Sequence, residues 1–300
     1  MFSEIKDYGA VFETLVTKTA DYLIQNNIKA QILGISGGID STVVAAICRE
    51  VSDRTGIPLI GRSLPTKFNK EDEISVANLV GKAFCNDFEE VPIKNPYESF
   101  LSLLDRAECG MTAIANGNIQ ARLRMIYLYN LASIKGGLVM DTDNLTENNL
   151  GYFTIHGDVG DFNPIGGLWK TEVFKLAEYL IDFYRMTGQI NKSVALFNSW
   201  SLKPTAGLGI TDSDLDEIGA ESYDQVDSIL QEILAWKWLS LFSRGDRYDS
   251  IWDMRNAFLE EQQRLDTPIE VIIAVTNRHF KSEFKRNQLP IKITRDEILV

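Results

Sequence analysis

Ala30-Gln31-Ile32-Leu33-Gly34-Ile35-Ser36-Gly37-Gly38-Ile39-Asp40-Ser41 runs from an apolar strand pattern into a paired-glycine turn, and Thr42 to Val51 continues with helical periodicity. The order reads strand, turn, helix. Two adjacent glycines allow positive φ and let the backbone approach a ligand, while Ser36 and Ser41 set hydroxyls beside the free N–H groups of the helix start. Such a turn cradles an anion, because backbone amides and the helix dipole both favour phosphate. Asp40 puts a carboxylate into the same pocket, which makes chemical sense if a divalent cation lies between it and the phosphates. A Walker A loop would carry a lysine that is absent here.

Working outward, strand and helix patterns alternate. Met1 to Asn26 places Ile5, Tyr8, Phe12, Leu15, Tyr22 and Leu23 near a helical period. Pro58 to Leu64 predicts a second strand, Lys70 to Phe84 a helix, Phe88 to Ile93 a third strand, Pro96 to Leu104 a short helix and Ala121 to Ile134 a longer one. Gly137 to Met140 predicts a buried strand ending at Asp141, and ligands of open parallel sheets gather at such strand ends. The expectation is an α/β fold. From Thr142 to Gly167 the periodicity vanishes among glycines and carboxylates, as in a functional loop region. A helical stripe returns at Val173, Leu176, Ala177, Leu180 and Phe183, and Ser201 to Gly219 breaks it again. Stripes such as Val226, Ile229, Leu230 and Ile233 then predict a helical C-terminal region.

Composition narrows the class. A chain of 300 residues that is 45% hydrophobic buries a large core, and a net charge of −12 opposes a broad nucleic-acid face. Cys48, Cys85 and Cys109 are odd in number and widely spaced, so they read as reduced thiols rather than a disulfide framework or metal site. No stretch approaches a membrane span, and Glu4, Asp7 and Glu13 do not suit a signal peptide. The protein is expected to be cytoplasmic, with neither membrane nor nucleic acid as partner.

Ser36-Gly37-Gly38-Ile39-Asp40-Ser41 resembles the pyrophosphatase loop of the adenylating amidotransferase and ligase superfamily, whose members cleave ATP between the α and β phosphates. Gly117-Asn118-Ile119-Gln120-Ala121-Arg122-Leu123-Arg124-Met125 and Asp141-Thr142-Asp143-Asn144-Leu145-Thr146-Glu147 narrow that resemblance to NAD synthetase of the ammonia-dependent type. Asp161-Phe162-Asn163-Pro164, Lys170, Lys203-Pro204-Thr205-Ala206-Gly207-Leu208 and Tyr223-Asp224 follow in the family's order.

The resemblance implies a Rossmann-like, three-layer parallel sheet with helices on both faces and a helical C-terminal extension. It implies one domain over 1–300, with a core to about 200, a mobile loop at about 201–220 and helices beyond. It further implies a homodimer that adenylates nicotinic acid adenine dinucleotide (deamido-NAD) with ATP and Mg2+, then replaces AMP with ammonia. By the same resemblance Gly34, Ile35, Ser36, Gly37, Gly38, Ile39, Asp40, Ser41, Arg62, Thr142, Lys170 and Thr205 meet ATP, and Asp40 and Glu147 hold the metal. Arg122, Asp161, Phe284 and Lys285 fall at dinucleotide positions, and Asp40, Lys170 and Asp158 are the expected catalytic groups. Asp158 or Asp161 could attract ammonium and take its proton. With only about thirty residues before the first strand, the chain is expected to use ammonia rather than hydrolyse glutamine. The family's Phe-Thr-Lys-Tyr-Gly-Asp loop stands here as Phe153-Thr154-Ile155-His156-Gly157-Asp158, followed by a segment one residue shorter; Phe284 replaces a usual histidine and Asp141 a usual glycine. Those departures leave two alternatives: a related amidotransferase acting on another carboxylate, or a nucleotide sensor without turnover.

Overall fold

The computed structural model describes residues 4–106, 112–202, 214–262, 267–286 and 291–298. Its main sheet has four parallel strands, β1 (Ala30–Gly34), β2 (Leu59–Ser63), β3 (Asp87–Glu90) and β4 (Gly137–Val139), in the order β3-β2-β1-β4. A second pair joins β5 (Phe162–Asn163) to β6 (Ile291–Lys292), also in parallel. The helices are α1 (Tyr8–Gln25), α2 (Ile39–Thr55), α3 (Glu71–Phe84), α4 (Lys94–Arg106), α5 (Ala113–Lys135), α6 (Leu145–Leu150), α7 (Lys170–Met186), α8 (Ile190–Ser201) and α9 (Asp214–Ile218). There follow α10 (Tyr223–Trp238), run on by a π-helical turn at Leu239–Arg244, then α11 (Ile251–Glu261), α12 (Ile269–Lys281), α13 (Glu283–Arg286) and α14 (Arg295–Ile298).

β1 is buried on both faces, which is why its sequence is a near-continuous apolar run. Leu33 packs with Val43 and Ile47 of α2, Val80 of α3 and Leu176 of α7. Ala30 and Ile32 point the other way, against Met125, Leu128 and Ala132 of α5. The expected three layers follow from this alternation. Because β2 and β3 lie on one side of β1 and β4 on the other, the chain reverses its winding direction between β1 and β4. At that switch point the strand ends diverge and leave a crevice. The Gly-Gly turn after β1 and the Asp141 segment after β4 both open into it, and Met140 N donates to Ile32 O at 2.8 Å to hold them side by side.

The C-terminal helices gather around Val226, Ile229, Leu230 and Ile233 of α10, together with Phe258, Val271, Ile272, Val275 and Phe280. This cluster includes Leu150 of α6 and Trp169, the residue before α7, so the helical extension leans on the site side of the sheet. Among the described residues, no helix is long and apolar enough to cross a membrane.

Two stretches differ from the sequence expectation. The region 142–167 is not uniformly loop: α6 is closed at its start by reciprocal bonds between Asn144 and Glu147 and at its end by Gly151 at φ 66°, and β5 pairs with a strand from the far end of the chain. α5 begins at Ala113, eight positions earlier than the periodicity suggests, with Thr112 Oγ1 accepting from Ala115 N at 3.1 Å. The expected loop motif at 203–208, with Thr205, lies outside the described residues, as does Cys109.

Candidate functional site

The turn at the end of β1 is held from behind. Gly37 sits at φ +87°, and a Cβ there would lie 2.5 Å from Glu73 O, so both conformation and space require glycine. Ser199 of α8 donates to Gly37 O at 2.8 Å, and Thr42 Oγ1 reaches Gly38 O at 2.9 Å and Ser199 Oγ at 2.8 Å. On the open side Ser36 Oγ and Ser41 Oγ lie 2.9 Å apart, and Gly38 N donates to Ser36 Oγ at 3.2 Å. The hydroxyls and the first N–H groups of α2 therefore face the crevice.

Asp40 stands in the first turn of α2, where a carboxylate is favoured by the dipole. Its Oδ1 accepts from Asn144 Nδ2 at 2.8 Å and its Oδ2 from Lys170 Nζ at 2.5 Å. Lys170 Nζ also donates to Glu147 Oε1 at 2.8 Å and lies 5.6 Å from the centre of the Tyr223 ring. Residues 130 positions apart thus meet at one ammonium. The lysine is only 2% exposed. Burial alone would push its pKa down, but Asp40 and Glu147 outweigh that and hold it well above the usual lysine value. Burial, then the Asp40 charge, push Glu147 up to about 7, while Lys170 opposes the rise. The carboxylates converge on a single cation, and among the described residues no set of three acidic, histidine or cysteine side chains forms a closed metal cage. Two hard oxygen donors with open positions suit Mg2+ completed by phosphate oxygens and water.

The start of α7, which carries Lys170, is secured from several sides. Lys170 N donates to Thr146 Oγ1 at 2.8 Å, and Thr146 Oγ1 donates to Asp227 Oδ1 at 2.5 Å. Asp227 Oδ2 accepts from Thr171 N at 3.1 Å and from Thr171 Oγ1 at 2.8 Å. Burial raises this α10 carboxyl to about 6, and the hydrogen bonds from Thr146 and Thr171 resist that rise. Neither Asp227 nor Asn144 was singled out from sequence; an N-terminal capping box, Asn144 to Glu147, was the available signal for the second.

A cavity of about 890 Å3 extends from the turn to the C-terminal helices, within the size range of small-molecule sites. Gly34, Ile35, Ser36, Asp40, Ser41, Arg62, Thr142 and Glu147 line one end. The Arg62 guanidinium is tied to Gly61 O at 2.7 Å and to both Asp87 oxygens at 3.2 Å. Asp158, Arg278, Lys281, Phe284 and Lys285 line the cavity toward the C-terminal helices, and Arg124 lines it between, bonded to Leu64 O and Asn69 Oδ1 at 3.1 Å each. Asp158 Oδ1 accepts from Thr154 N at 2.6 Å; burial raises its carboxyl to about 6, and Lys285 and Arg124 oppose this. Lys285 Nζ donates to Gly151 O at 2.7 Å and Phe153 O at 2.6 Å, so it fastens α13 to the end of α6. The guanidinium of Arg278 stacks 4.0 Å from the Tyr152 ring centre and pairs with Glu217.

The structure does not bring two expected dinucleotide residues into that cavity. Arg122 is exposed on α5, with Nε donating to Ile155 O at 3.4 Å. Asp161 uses one oxygen for Val139 N at 2.9 Å and the other for Tyr129 Oη at 3.2 Å, which stitches it to the sheet edge. Arg124 lines the cavity instead, its Nε donating to Leu64 O at 3.1 Å. Asp141 accepts from Asp143 N at 2.7 Å and Gly160 N at 3.1 Å and so staples the segment before β5 to the strand end.

An open parallel sheet whose switch point carries a Gly-Gly turn, two carboxylates and a buried lysine defines an α/β protein with a phosphate-facing pocket. Residues 11–289 match the family model described as NAD synthase. The chain is 35% identical over 209 residues to the NH(3)-dependent NAD(+) synthetase of Methanococcoides burtonii, covering 69% of this chain and 73% of that one. It is 30% identical over 290 residues to the protein of the same description from Pyrococcus furiosus, covering 96% and 97%. A solved structure described as NMN synthetase from Francisella tularensis superposes with a TM-score of 0.71 at 26% identity, over 96% of this chain and 98% of that one. The chain belongs to the NAD synthase family.

Proposed function

We propose that this chain is an ammonia-dependent NAD synthetase, a ligase that forms a carbon–nitrogen bond in cytoplasmic NAD biosynthesis. ATP and deamido-NAD are its substrates with ammonia, and NAD, AMP and pyrophosphate its products. The observation that carries this reading is the meeting of Asp40, Glu147 and Lys170 beside the Gly-Gly turn, inside a chain matched to NAD synthase over residues 11–289.

A nicotinate carboxylate is a weak nucleophile toward an anionic triphosphate, so catalysis lies in charge neutralisation and alignment. Ser36, Ser41 and the first amides of α2 bind phosphate oxygens, and Lys170 holds the departing pyrophosphate. Asp40 and Glu147 would hold Mg2+, which supplies neutralisation of phosphate charge. Arg62 and Thr142 border the nucleotide. Arg278, Lys281 and Lys285 make the cavity cationic toward the C-terminal helices, suited to the phosphate of the carboxylate substrate, with Phe284 at its rim. Asp158, buried there, takes the proton as ammonium becomes ammonia. Arg122 reaches the dinucleotide from the exposed face of α5, within a homodimer, and Asp161 supports that edge. The whole chain, 1–300, acts as one such domain.

The likeness to an NMN synthetase favours a second reading, amidation of nicotinic acid mononucleotide. Ile155 and Phe284, where the family carries lysine and histidine, fit a site with fewer contacts to the second nucleotide. One experiment tests both: release of AMP from ATP is followed with ammonia and either nicotinic acid adenine dinucleotide or the mononucleotide. Faster turnover of the dinucleotide supports the first reading, preference for the mononucleotide the second, and no carboxylate-dependent AMP release with either excludes both.

A further inference from the structure

The segment 291–298 lies past the residues matched to the family, yet it is built into the structure against Gly167 and the first turn of α7. β6 pairs with β5 in the register Phe162 to Ile291 and Asn163 to Lys292, and Ile293 N donates to Asn163 O at 3.2 Å. Ile293 and Ile298 are buried in the main core cluster, which also holds Leu168 and Val173. Between these anchors the chain passes directly over Gly167. A Cβ at Gly167 would lie 2.7 Å from Ile298 Cδ1, 2.8 Å from Ile293 O and 2.9 Å from Arg295 N, so only glycine admits the crossing.

Arg295 then turns inward to Glu172. Its Nη1 donates to Glu172 Oε2 at 2.5 Å and its Nη2 to Glu172 Oε1 at 2.6 Å, a two-bonded pair whose side chains are each 10% exposed. Glu172 Oε2 also accepts from Trp169 N at 2.9 Å. The connection therefore runs from the tail through one carboxylate to the backbone amide just before Lys170. A planar guanidinium fixes both the position and the rotation of a carboxylate, which a single bond cannot do.

We propose that the C-terminal segment is a strap for the start of α7, and that Arg295 is a positioning residue for Lys170. By locking Glu172 against Trp169 N, Arg295 sets the first turn of α7, and with it the direction in which Lys170 extends toward Asp40 and Glu147. Asp227 secures the same turn from α10, and Arg295 secures it from the C-terminal segment through Glu172 of the turn itself. The functional consequence rests on the reading of Lys170 as the pyrophosphate-holding group.

The test compares the full native chain with Arg295→Lys, with Arg295→Met and with the double variant Glu172→Gln/Arg295→Met, which leaves no stranded buried charge. Reductive methylation by formaldehyde and cyanoborohydride, read by peptide mass spectrometry, measures access to Lys170 Nζ without reference to turnover. Lys170 should label about tenfold faster in the Met variants while Lys237 labels as before, because only one local turn has loosened. The rate constant kcat should fall about tenfold with the KM of the carboxylate substrate unchanged, and Arg295→Lys should lie between. Unchanged labelling of Lys170 in a folded variant overturns the proposal. So does a parallel rise at Lys170 and Lys237, which marks general loosening, or an equal change in kcat and KM. If the native protein releases no AMP with either carboxylate, the proposed function fails, and the labelling comparison alone decides the strap.

Discussion

Asp40 spends both carboxylate oxygens on partners, Asn144 Nδ2 and Lys170 Nζ, so its substitution acts on charge more than on packing. Asp40→Asn keeps the side-chain volume and removes the negative charge. Turnover should fall by about three orders of magnitude, since a lost metal ligand forfeits several kcal/mol of transition-state stabilisation. Circular dichroism should still report a folded chain; near-native AMP release at saturating magnesium would exclude the metal role. Ile155 offers the opposite experiment, a gain. Lys285, the cation next to Phe284 on α13, is committed to Gly151 O and Phe153 O. Ile155→Lys adds a donor near Arg122 and should tighten deamido-NAD about tenfold or more, as one charge-assisted bond of about 1.5–3 kcal/mol allows, while ATP affinity stays unchanged. Calorimetric titration of both ligands decides it, and unchanged or weaker dinucleotide binding would mean that the shortened loop has been rebuilt for another carboxylate. At this scale the sequence carried residue type and spacing but not direction. Arg122 and Arg124 stand two positions apart on α5, about 200° around the helix, so one faces solvent and the other the cavity. Periodicity could have separated them only with the buried face of α5 already known.

Among elements, the first turn of α7 shows how catalytic geometry depends on groups that do no chemistry. Asp227 accepts from Thr146 Oγ1, Thr171 Oγ1 and Thr171 N, and through Thr146 it reaches Lys170 N. Asp227→Asn retains shape but turns one acceptor into a donor facing an N–H or a hydroxyl. A buried polar group left mismatched costs about 1–3 kcal/mol, and the melting temperature should fall accordingly. Activity should fall further than the folded fraction does, because the start of α7 shifts with Lys170. Matched loss of activity and folded protein would make Asp227 structural alone. The elements legible in the sequence were those that carry their own pattern: β1 to β4 and helices α1, α2, α3, α4, α5, α7 and α10, with only the start of α5 misplaced. α6, β5 and β6 were hidden for a physical reason. Six residues in α6 and two in each strand are too few to show a period, and they exist through caps and pairings with distant chain. The strand pair β5-β6 joins residues that no local pattern connects.

For the whole molecule, the unusual quantity is the buried negative charge at the switch point. Burial raises Asp141 and Glu147 to about 7 and Asp158 and Asp227 to about 6, against ordinary values of 3.8 for aspartate and 4.5 for glutamate. Asp143 is likewise raised, by burial and then by the neighbouring Asp141 charge. A carboxyl with a raised folded-state pKa binds more protons when folded than when unfolded, so its contribution is fully present below the unfolded value and is lost as pH climbs through the folded one. Stability of the ligand-free protein should therefore decline between about pH 4 and pH 8 and level off above, when every one of these groups is ionised in both states. His279 works against this on the acid side. Buried beside Phe280, with Arg286 and Lys237 adding positive charge, its imidazole is pushed from 6.5 down to about 3, so its contribution is present above 6.5 and lost as pH falls. Against its burial, Arg286 and Lys237 hold half-buried Glu283 below the ordinary carboxylate value, so it acts with His279, but the five raised and more deeply buried carboxyls place the maximum on the acid side of neutrality. Ligands should reshape that curve. Under the proposed function Mg2+ and ATP require ionised Asp40 and Glu147, so binding releases protons and stabilises most where the free protein is weakest. Thermal melts from pH 5 to pH 8.5 should show a falling melting temperature without ligand and a flatter curve with magnesium and ATP. In Glu147→Gln, which lacks one group titrating near 7, both the ligand-free decline and the ligand effect should shrink. A ligand-free melting temperature that rises from pH 6 to pH 8 would show that these carboxyls are ionised throughout, and that the charge at the switch point is already neutralised by Lys170 and the cations at the far end of the cavity.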